Sequence, residues 1–405
     1  MRTLLYSLIF WCVIGNIQVY ALSLNDFVDD KLFLNQEDEI QVTSKIKTPE
    51  LVWEYDGIGN GYSSPAINSD FVFVTGEIDT IGYLFKFNRN GDLIWKNSYG
   101  KEWSQNFPGT RSAPTIYKNL VFVCSALGEI TCFDISSGLK KWSLSMITDL
   151  KGTNNVYGYS TQLLIDNDVL FCLPGGSDIN IAALDCFTGK FIWTSKGKQE
   201  TPGYGNAIMV EFPKRKVFIC FTEFSLLGLD AKSGELLWSQ NLDDFGEIPC
   251  NTPIYDDGYL YYSAGAKNGM AKLQISEDGS SIKEIWKNLK FDVYFSGFIK
   301  ITNYLYGSAN SYSSLVGINA QTGVIGEPIS FKKGSIVVAN GLIYCYNEVG
   351  IVGIVEPNNG QLKLLSSFKI TKGTKEHFAH PVYNEGELFI RHGDTLLVYN
   401  INAKD

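Results

Sequence analysis

A short motif recurs along most of this chain and limits what the chain can fold into. In residues 119–142, NLVFVCSALGEITCFDISSGLKKW, two apolar strands are followed by Asp134, Gly138 and Trp142. The Asp side chain can accept hydrogen bonds from the turn, and the Gly supplies the positive φ that reverses the chain. One such unit is too small to bury its own apolar face, so its repetition predicts a protein of stacked repeats.

The copies of this motif share one spacing. Tryptophans that end successive copies are 45 to 51 residues apart, which is typical of four-stranded propeller blades. The repeated turn and outer-strand residues are Trp95; Asp134, Gly138 and Trp142; Asp185, Gly189 and Trp193; Asp230, Gly234 and Trp238; and Trp286. We expect these tryptophans to pack between neighbouring blades. A stacking platform for sugars or quinones is the alternative.

Looser copies after Trp286 bring the number of units to eight. The last unit ends at Asp405 without a tryptophan strand, whereas PELVW, ending at Trp53, is such a strand without a preceding unit. The sequence therefore predicts an all-β, eight-bladed β-propeller of four-stranded antiparallel blades. In this prediction the N-terminal strand around Trp53 completes the last blade and closes the ring, which removes two open sheet edges. A seven-bladed ring with an irregular tail is the alternative.

The N-terminus predicts export. Arg2 precedes an apolar run from Leu4 to Ile14, and small residues flank Tyr20 up to Ala21, so residues 1–21 are interpreted as a cleavable signal peptide. A membrane anchor needs about 20 apolar residues and fits less well. Residues 22–50 form an acidic spacer, and residues 51–405 form a single propeller domain. We expect a periplasmic or extracellular protein with no membrane span in the mature chain.

Charge and cysteine content limit the function further. The formal net charge of −9 argues against nucleic-acid binding, which needs a basic surface. Four cysteines occupy one equivalent position, where other copies carry Thr, Ser or Arg; these residues are Cys124, Cys172, Cys220 and Cys345, and Thr75, Ser263, Ser308 and Arg391. Such a position predicts small, buried and unbridged side chains. A disulfide between Cys124 and Cys132 is the open alternative.

Three copies, CFDISSGLKKW, ALDCFTGKFIW and GLDAKSGELLW, resemble the repeat A-x-D-x-x-T-G-x-x-x-W of the pyrroloquinoline quinone (PQQ)-like β-propeller proteins. The resemblance covers about residues 51–402. The segments GIGNGYSSPAI, PGTRSAPTI, NTPIYDDGYLYYSAGA and AHPVYNEGELFIRHGDTLLVYNI are similar to exported bacterial proteins described as BamB-like or PQQ-binding-like. This resemblance implies an exported scaffold that holds another protein.

The resemblance also brings an enzyme alternative. Quinoprotein dehydrogenases of the same superfamily carry adjacent cysteines, a calcium site and a catalytic Asp. The present sequence has no Cys-Cys pair, and no block of residues would supply the hard oxygen ligands that calcium needs. We therefore expect no cofactor, and a PQQ- and calcium-dependent oxidoreductase of the alcohol dehydrogenase type remains the alternative.

Polar side chains precede the innermost strand of nearly every copy. The candidate ligand-binding residues at this channel mouth are Tyr62, Arg111, Tyr159, Tyr204, Asn206, Asn251, His377 and His380. The Arg111 guanidinium could hold a carboxylate, a phosphate or a sugar acid, and His380 could act as an acid or base near neutral pH. The alternative is that these groups satisfy backbone hydrogen bonds where eight strands converge.

No catalytic residue or metal ligand is assigned, because no nucleophile, zinc-ligand spacing or phosphate loop accompanies these groups. The sequence favours a non-catalytic, monomeric scaffold. It would bind an envelope or extracellular protein partner, or a polar small molecule or glycan, at one mouth of the channel. A carbohydrate-binding module is a further alternative.

Overall fold

The computed structural model describes residues 48–243, 249–265 and 268–402. These residues form 31 β-strands and no α-helix, so none of them belongs to a helix that could cross a membrane. The strands make eight antiparallel sheets in chain order, which confirms the predicted all-β, eight-bladed propeller. The predicted signal peptide, and the spacer up to residue 47, lie outside the described residues.

The strands are numbered in chain order. Blade 1 contains β2 (Ala66–Ile67), β3 (Phe71–Ile78), β4 (Ile81–Asn88) and β5 (Leu93–Lys101). Blade 2 contains β6 (Thr115–Tyr117), β7 (Leu120–Cys124), β8 (Glu129–Asp134) and β9 (Lys140–Ser145). Blade 3 contains β10 (Leu164–Asp166), β11 (Val169–Cys172), β12 (Ile181–Asp185) and β13 (Phe191–Ser195). Blade 4 contains β14 (Ile208–Phe212), β15 (Arg215–Phe221), β16 (Ser225–Asp230) and β17 (Leu236–Asn241).

The second half repeats this arrangement. Blade 5 contains β18 (Ile254–Asp256), β19 (Tyr259–Ser263), β20 (Met270–Ile275) and β21 (Ile282–Asn288). Blade 6 contains β22 (Val293–Ile301), β23 (Tyr304–Ala309) and β24 (Ser314–Asn319). Blade 7 contains β25 (Gly334–Ala339), β26 (Leu342–Asn347), β27 (Ile351–Asn358) and β28 (Gln361–Lys369). Blade 8 contains β29 (Val382–Asn384), β30 (Glu387–His392), β31 (Thr395–Asn400) and β1 (Glu50–Asp56).

Blade 8 combines strands from opposite ends of the chain. β1 pairs antiparallel with β31, and Trp53 lies opposite Val398 in this register. The sheet order is β1-β31-β30-β29, so β1 occupies the outer position that the last unit of the sequence leaves without a tryptophan strand.

Blade 6 differs from the prediction of four strands in every blade. Its sheet has three strands, and the segment that follows β24 contributes only two isolated bridges, Ile325 to Ile318 and Ile329 to Leu315. Pro328 lies between these two bridges and has no N–H to donate. The outer segment of blade 6 therefore contacts β24 at two points without forming a continuous fourth strand.

The hydrophobic core is divided among the interfaces between blades. A cluster of buried apolar side chains lies between each pair of neighbouring blades, including blades 8 and 1. Each blade buries both faces against its neighbours, which is how a repeat too small for its own core becomes stable.

The repeated tryptophans and glycines meet between blades. The Trp142 indole of blade 2 donates a hydrogen bond of 3.0 Å to the Cys186 carbonyl oxygen of blade 3, and its ring lies 3.0 Å from where a Cβ on Gly189 would be. The same donation to the next blade is made by Trp53, Trp95, Trp193, Trp238 and Trp286. A β-bulge immediately before each of these tryptophans, as between the partners of Cys132 and Phe133 in blade 2, turns the outer strand locally.

Aspartates of the repeat hold the turns that the tryptophans contact. Asp134 Oδ1 accepts hydrogen bonds from the backbone N–H groups of Ser136 and Ser137 and from both of their hydroxyls. These donors hold the pKa of Asp134 well below its usual range. The conspicuous Asp of the motif therefore makes a turn that presents Gly138, at φ 71°, to the preceding blade.

Candidate functional site

Strand direction places two kinds of connection at one end of the propeller. In each antiparallel blade, the turn between the second and third strands and the linker to the next blade lie at the same end. We call this end the upper face. It comprises the linkers 57–65, 102–114, 146–163, 196–207, 289–292 and 370–381 and the turns 125–128, 310–313 and 348–350. Asn154 of one linker donates to the Ala126 carbonyl oxygen of a turn at 2.8 Å, which holds the two together.

A cluster of aromatic side chains lies on the propeller axis at the upper face. The central aromatic cluster consists of the buried residues Tyr62, Tyr157, Tyr204, Cys250, Tyr294 and Phe295, with Phe107 and Phe378 partly buried against them. Tyr294 and Phe295 lie in β22 of blade 6, and the other residues lie in the linkers that enter blades 1, 2, 3, 4, 5 and 8. Segments from seven blades of a ring can meet only at its centre. Ring centroids of Phe295 and Phe378 are 5.3 Å apart in an edge-on arrangement. The channel mouth is therefore largely apolar.

Arg111 is buried beside this cluster and bonded to its own linker. Its Nη1 donates to the Gly109 carbonyl oxygen at 2.7 Å, and its Nη2 donates to the carbonyl oxygens of Asn106 and Phe107 at 3.0 and 2.8 Å. The guanidinium lies over the Trp103 ring, 5.3 Å from its centroid, and Nε has no hydrogen-bond partner. Burial lowers the pKa of Arg111 to about 10, so the side chain stays charged at neutral pH. Its Nη1 and Nη2 groups donate to backbone carbonyl oxygens.

The tyrosine and asparagine candidates also face backbone groups. The Tyr159 hydroxyl donates to the Pro174 carbonyl oxygen at 2.7 Å, and Asn206 Oδ1 accepts from the Gln162 N–H at 2.9 Å. Asn251 Nδ2 donates to the Val293 carbonyl oxygen at 2.6 Å, and its Oδ1 accepts from the Gly297 N–H at 3.1 Å. The Asn206 and Asn251 contacts cross from one blade to the next, whereas Tyr159 bonds a turn of blade 3, the blade that its own linker enters. All three satisfy backbone groups where the strands converge.

Tyr62 and Tyr204 make side-chain contacts within the mouth. The Tyr62 hydroxyl donates to Glu376 Oε2 at 2.7 Å, which joins the linkers into blades 1 and 8. The Tyr204 hydroxyl accepts from the Tyr157 N–H at 3.1 Å. Burial raises the pKa of both phenols well above their usual value, so both are protonated donors at physiological pH.

The structure places the two histidine candidates in different environments. His380 is buried, and its Nε2 lies 2.6 Å from the Phe295 carbonyl oxygen. Burial lowers the pKa of His380 to about 4, which makes it a neutral donor to that carbonyl and not a base near neutral pH.

His377 is half-buried and stacks on a second histidine. The His377 and His392 rings have centroids 3.8 Å apart at 17°, and His377 Nδ1 lies 2.6 Å from the Tyr346 hydroxyl. Burial, with a smaller contribution from His392, lowers the pKa of His377 to about 4. His392 Nδ1 and Nε2 face the carbonyl oxygens of Lys372 and Lys375 at 2.6 and 2.9 Å. The pair fastens the linker between blades 7 and 8 to blade 8.

One buried carboxyl in this region escaped sequence reasoning. Glu102 Oε1 accepts from the N–H groups of Trp103 and Ala126 at 2.9 and 2.8 Å, and Oε2 accepts from the Tyr99 hydroxyl at 2.8 Å. Burial raises the pKa of Glu102 to about 7 despite these donors. Glutamates also occur in other linkers, as Glu200 and Glu376 do, so the sequence alone gives no reason to single out Glu102.

The residues of the mouth do not fit a quinone held over a metal ion. Across the described parts of the chain, no group of three or more His, Cys, Asp or Glu side chains could hold a metal ion. The axial position at the upper face is occupied by the central aromatic cluster, and Arg111 already donates to backbone carbonyls. No step of a reaction is therefore derived through such a cofactor.

This repeat, with a tryptophan in six of the eight blades bonded to the turn of the next blade, defines a β-propeller of the PQQ-like class. The family profile described as outer membrane protein assembly factor BamB matches residues 27–172, 82–326 and 177–405. The chain therefore belongs to this family, which confirms the resemblance carried by its motifs.

Solved structures agree on the fold. BamB from Moraxella catarrhalis is 14% identical, with a TM-score of 0.65 over 87% of this chain and 100% of that chain. A quinohemoprotein alcohol dehydrogenase from Pseudomonas putida is 15% identical, with a TM-score of 0.61 over 88% of this chain and 77% of that chain. The computationally designed protein Ika8 is 12% identical, with a TM-score of 0.59 over 86% and 100% of the two chains. Comparison with curated proteins found no matching sequence. These identities show the fold alone.

Proposed function

We propose that this protein is an exported, non-catalytic scaffold that binds a protein partner through its upper face. One observation carries the proposal: the polar candidates of the mouth are engaged within the protein, whereas apolar side chains on the same face are exposed. These exposed side chains are Val156 at 64%, Leu289 at 54%, Val349 at 46%, Leu127 at 39% and Tyr312 at 38%.

The distribution of these side chains suits a protein surface better than a small-molecule pocket. Three of them lie on turns of blades 2, 6 and 7, and the other two lie on the linkers between blades 2 and 3 and between blades 5 and 6. A ligand that touches several of them must therefore be broad. Exposed apolar groups around a buried aromatic centre are typical of protein–protein interaction sites. Membership of a family described as an outer membrane protein assembly factor supports a partner that is itself an envelope protein involved in assembling outer membrane proteins.

Site-specific cross-linking in the source cell tests this proposal. A photoreactive amino acid at Val156 or Val349 is expected to capture one envelope protein that takes part in outer membrane assembly, identified by mass spectrometry. The matched control is Leu139, which is 69% exposed but lies in the turn between the third and fourth strands of blade 2, at the opposite end of the propeller. Equal capture from Leu139 would contradict the proposal.

The enzyme alternative has its own test. The purified mature chain is mixed with PQQ and Ca²⁺, and alcohol-dependent dye reduction is followed. We expect none. Saturable quinone binding with alcohol-dependent reduction would overturn the scaffold proposal.

A second candidate function is the binding of a small polar ligand such as a glycan. A pocket of about 370 Å³ lies between blades 8 and 1 at the end opposite the upper face, lined by Val52, Ser69, Arg89, Asn90, Glu385, Glu387, Asn400 and Asn402. Arg89 Nη2 donates to Glu387 Oε2 at 2.6 Å, and Arg89 Nε has no hydrogen-bond partner. Convergent amide and carboxylate groups are suited to binding hydroxyl groups.

Glycan-array binding distinguishes this second candidate from the first. Binding that is lost in Asn90→Ala and Asn402→Ala but kept in Gln321→Ala, an exposed amide in the corresponding turn of blade 6, would favour the glycan. Absence of binding to any glycan would remove it.

A further inference from the structure

A small cavity between blades 2 and 3 is lined by three sulfur-containing side chains. Its volume is about 10 Å³, and Cys124, Met146 and Cys172 form part of its wall, together with Tyr159, Leu163 and Phe171. A space of this size holds about one water-sized sphere. The cavity is thus large enough for a single ion and too small for an organic ligand.

The three sulfur residues reach the cavity from different strands. Cys124 ends β7 of blade 2 and Cys172 ends β11 of blade 3. Cys124 lies four residues after the partner of Asp134, whereas Cys172 lies three residues after the partner of Asp185, so the two side chains point toward each other from neighbouring blades. Met146 directly follows β9, and all three side chains are buried in the same core cluster. The cores that contain Cys220 and Cys345 each have one cysteine, so only the core between blades 2 and 3 brings two of these thiols together in the described parts of the chain.

We propose that Cys124, Cys172 and Met146 form a binding site for a single soft monovalent metal ion, Cu(I). Thiol and thioether sulfurs are the ligands that select Cu(I), whereas hard cations require oxygen ligands. No Asp, Glu or His lines the cavity, which removes the oxygen ligands that calcium and magnesium need. Zinc also binds thiolates but usually takes four Cys, His or carboxylate ligands, and only two cysteines line this cavity.

The net charge of the site does not change when Cu(I) binds, which suits a cavity lined mostly by apolar side chains. Cys124 and Cys172 are buried among apolar side chains, a setting that favours the neutral thiol over the thiolate before binding. When Cu(I) binds, one thiol releases its proton to solvent and forms the sulfur–metal bond, while the second thiol and the thioether donate lone pairs. The site gains one positive charge and loses one proton, so it remains neutral, as a buried site requires. No electron is transferred.

The surrounding contacts leave the ligands available. Cys124 Sγ lies 3.5 Å from the Ser125 carbonyl oxygen, a weak contact that side-chain rotation can replace. Thr161 and Gln162, which lie on the rim at the start of the innermost strand, are half-buried. They provide the side from which an ion can enter.

Competition with a chelator tests the site in the mature chain beginning at residue 22. Anaerobic titration of the Cu(I)–bicinchoninate complex is expected to show one equivalent of Cu(I) withdrawn by the protein, with release of one proton. Cys124→Ser/Cys172→Ser is expected to lose the site, and Met146→Leu is expected to weaken it roughly 10-fold or more, the scale on which changes at metal sites act. Serine is already present at the position of Cys124 in two other blades, Ser263 and Ser308, and serine is close to cysteine in size, so the double variant is expected to fold.

Matched controls make the outcome decisive. Cys220→Ser and Cys345→Ser remove thiols from equivalent positions in other cores and are expected to leave the affinity unchanged. Chelator that keeps all its Cu(I), or equal binding by wild type and Cys124→Ser/Cys172→Ser with the same urea midpoint, would overturn the proposal. The site does not involve the upper face, so this result is independent of whether the protein binds a partner there.

Discussion

Arg391 Nη1 donates a hydrogen bond of 2.6 Å to the carbonyl oxygen of Thr75, across 316 residues of sequence. The two residues occupy the same position in blades 8 and 1 as Cys124 does in blade 2. The strand register places Cys172, Cys220 and Cys345 one residue earlier, so the predicted single position for all four cysteines is wrong. The guanidinium also bonds the Ser63 hydroxyl at 2.7 Å and the carbonyl oxygens of Gly59 and Gly393 at 3.0 and 2.8 Å. Arg391 is fully buried, so a single side chain ties the first blade to the last.

Replacing Arg391 by Met is expected to destabilise the protein by about 3–5 kcal/mol. The methionine fills most of the space, but the carbonyl oxygens of Gly59 and Gly393 lose the guanidinium donor, and that of Thr75 keeps only the Thr110 hydroxyl at 3.2 Å. Each lost donor costs about 1–3 kcal/mol before the structure relaxes. Urea unfolding measures the change as a lower midpoint. Arg391→Lys is expected to recover only part of the loss, since an ammonium cannot reproduce the planar fork.

Arg215→Met is the matched control for Arg391→Met. Arg215 lies 3.8 Å from Asp230 in a half-buried ion pair, and pairs of this kind contribute about 1 kcal/mol or less. Equal loss of stability in Arg215→Met and Arg391→Met would show that the link between blades 8 and 1 adds no more to the free energy of unfolding than a half-buried ion pair does.

His380 is expected to make the protein less stable in mild acid. Its folded pKa is about 4, whereas an unfolded histidine titrates near 6.5, so between these values the unfolded chain binds the extra proton. The free energy of unfolding therefore falls as pH falls from 6.5 to 4, by up to ~1.4 kcal/mol per pH unit for one proton. The effect is fully absent only above the unfolded pKa.

Comparison of variants isolates this effect, because other groups titrate in the same range. His377 acts in the same direction, and Glu102, with its pKa raised to about 7, acts in the opposite one, since stability is lost as pH rises through that value. His380→Gln keeps a donor to the Phe295 carbonyl and is expected to flatten the pH dependence by about one proton. An NMR resonance of His380 that titrates near pH 6.5 in the folded protein would contradict the assignment.

The blades could be predicted from sequence because their contacts repeat. Each repeat tryptophan, such as Trp142, contacts a turn of the next blade. The spacing of Asp, Gly and Trp therefore encodes a contact between neighbouring blades as well as a strand. The three-stranded form of blade 6 was not predicted, although Pro328 was visible. The position of Pro328 between two bridging residues matters only once the register of β24 is known.

The upper face could be predicted only in part, because linkers do not repeat. The sequence identifies Tyr62, Arg111 and Asn251 as polar residues before inner strands, but it does not identify their partners. These partners are the Glu376 carboxylate for Tyr62, carbonyl oxygens of its own linker for Arg111, and the Val293 carbonyl oxygen of blade 6 for Asn251. Phe107 and Phe378, which close the mouth, lie far apart in sequence and meet at 6.2 Å between ring centroids. Such meetings depend on the whole ring, which no local pattern encodes.

Gly189→Ala is expected to destabilise the contact between blades 2 and 3. A Cβ at this position would lie 3.0 Å from the Trp142 ring, and the backbone φ of 69° is unfavourable for alanine. Strain in the left-handed region costs about 1–2 kcal/mol, and crowding against a packed ring adds roughly 1–3 kcal/mol. Thermal and urea unfolding should both report the sum.

Gly341→Ala separates the two contributions. Gly341 has a similar φ of 72°, but a Cβ there would have nothing within 4 Å. We expect it to show the backbone cost alone. In a Trp142→Leu background, the excess cost of Gly189→Ala over Gly341→Ala should disappear, because the ring that crowds the new methyl group has gone. An excess that persists would mean that the tryptophan does not pack on this turn.

The cysteines are expected to be inert in the folded protein and to react together on unfolding. All seven cysteines in the described part of the chain are buried and none forms a disulfide, and in strand pairing Cys132 lies opposite Phe122, whereas Cys124 lies opposite Ile130. Burial raises the pKa of Cys186 to about 11 and that of Cys172 to about 12, so the reactive thiolate is scarce at neutral pH.

With Ellman's reagent, the mature chain from residue 22 should show essentially no reaction when native and seven thiols in denaturant. The native reaction should follow the unfolding rate, and Arg391→Met should accelerate it because that variant opens more often. Fewer than seven thiols in denaturant without reductant would instead establish a disulfide, with Cys124 and Cys132 as the first pair to examine.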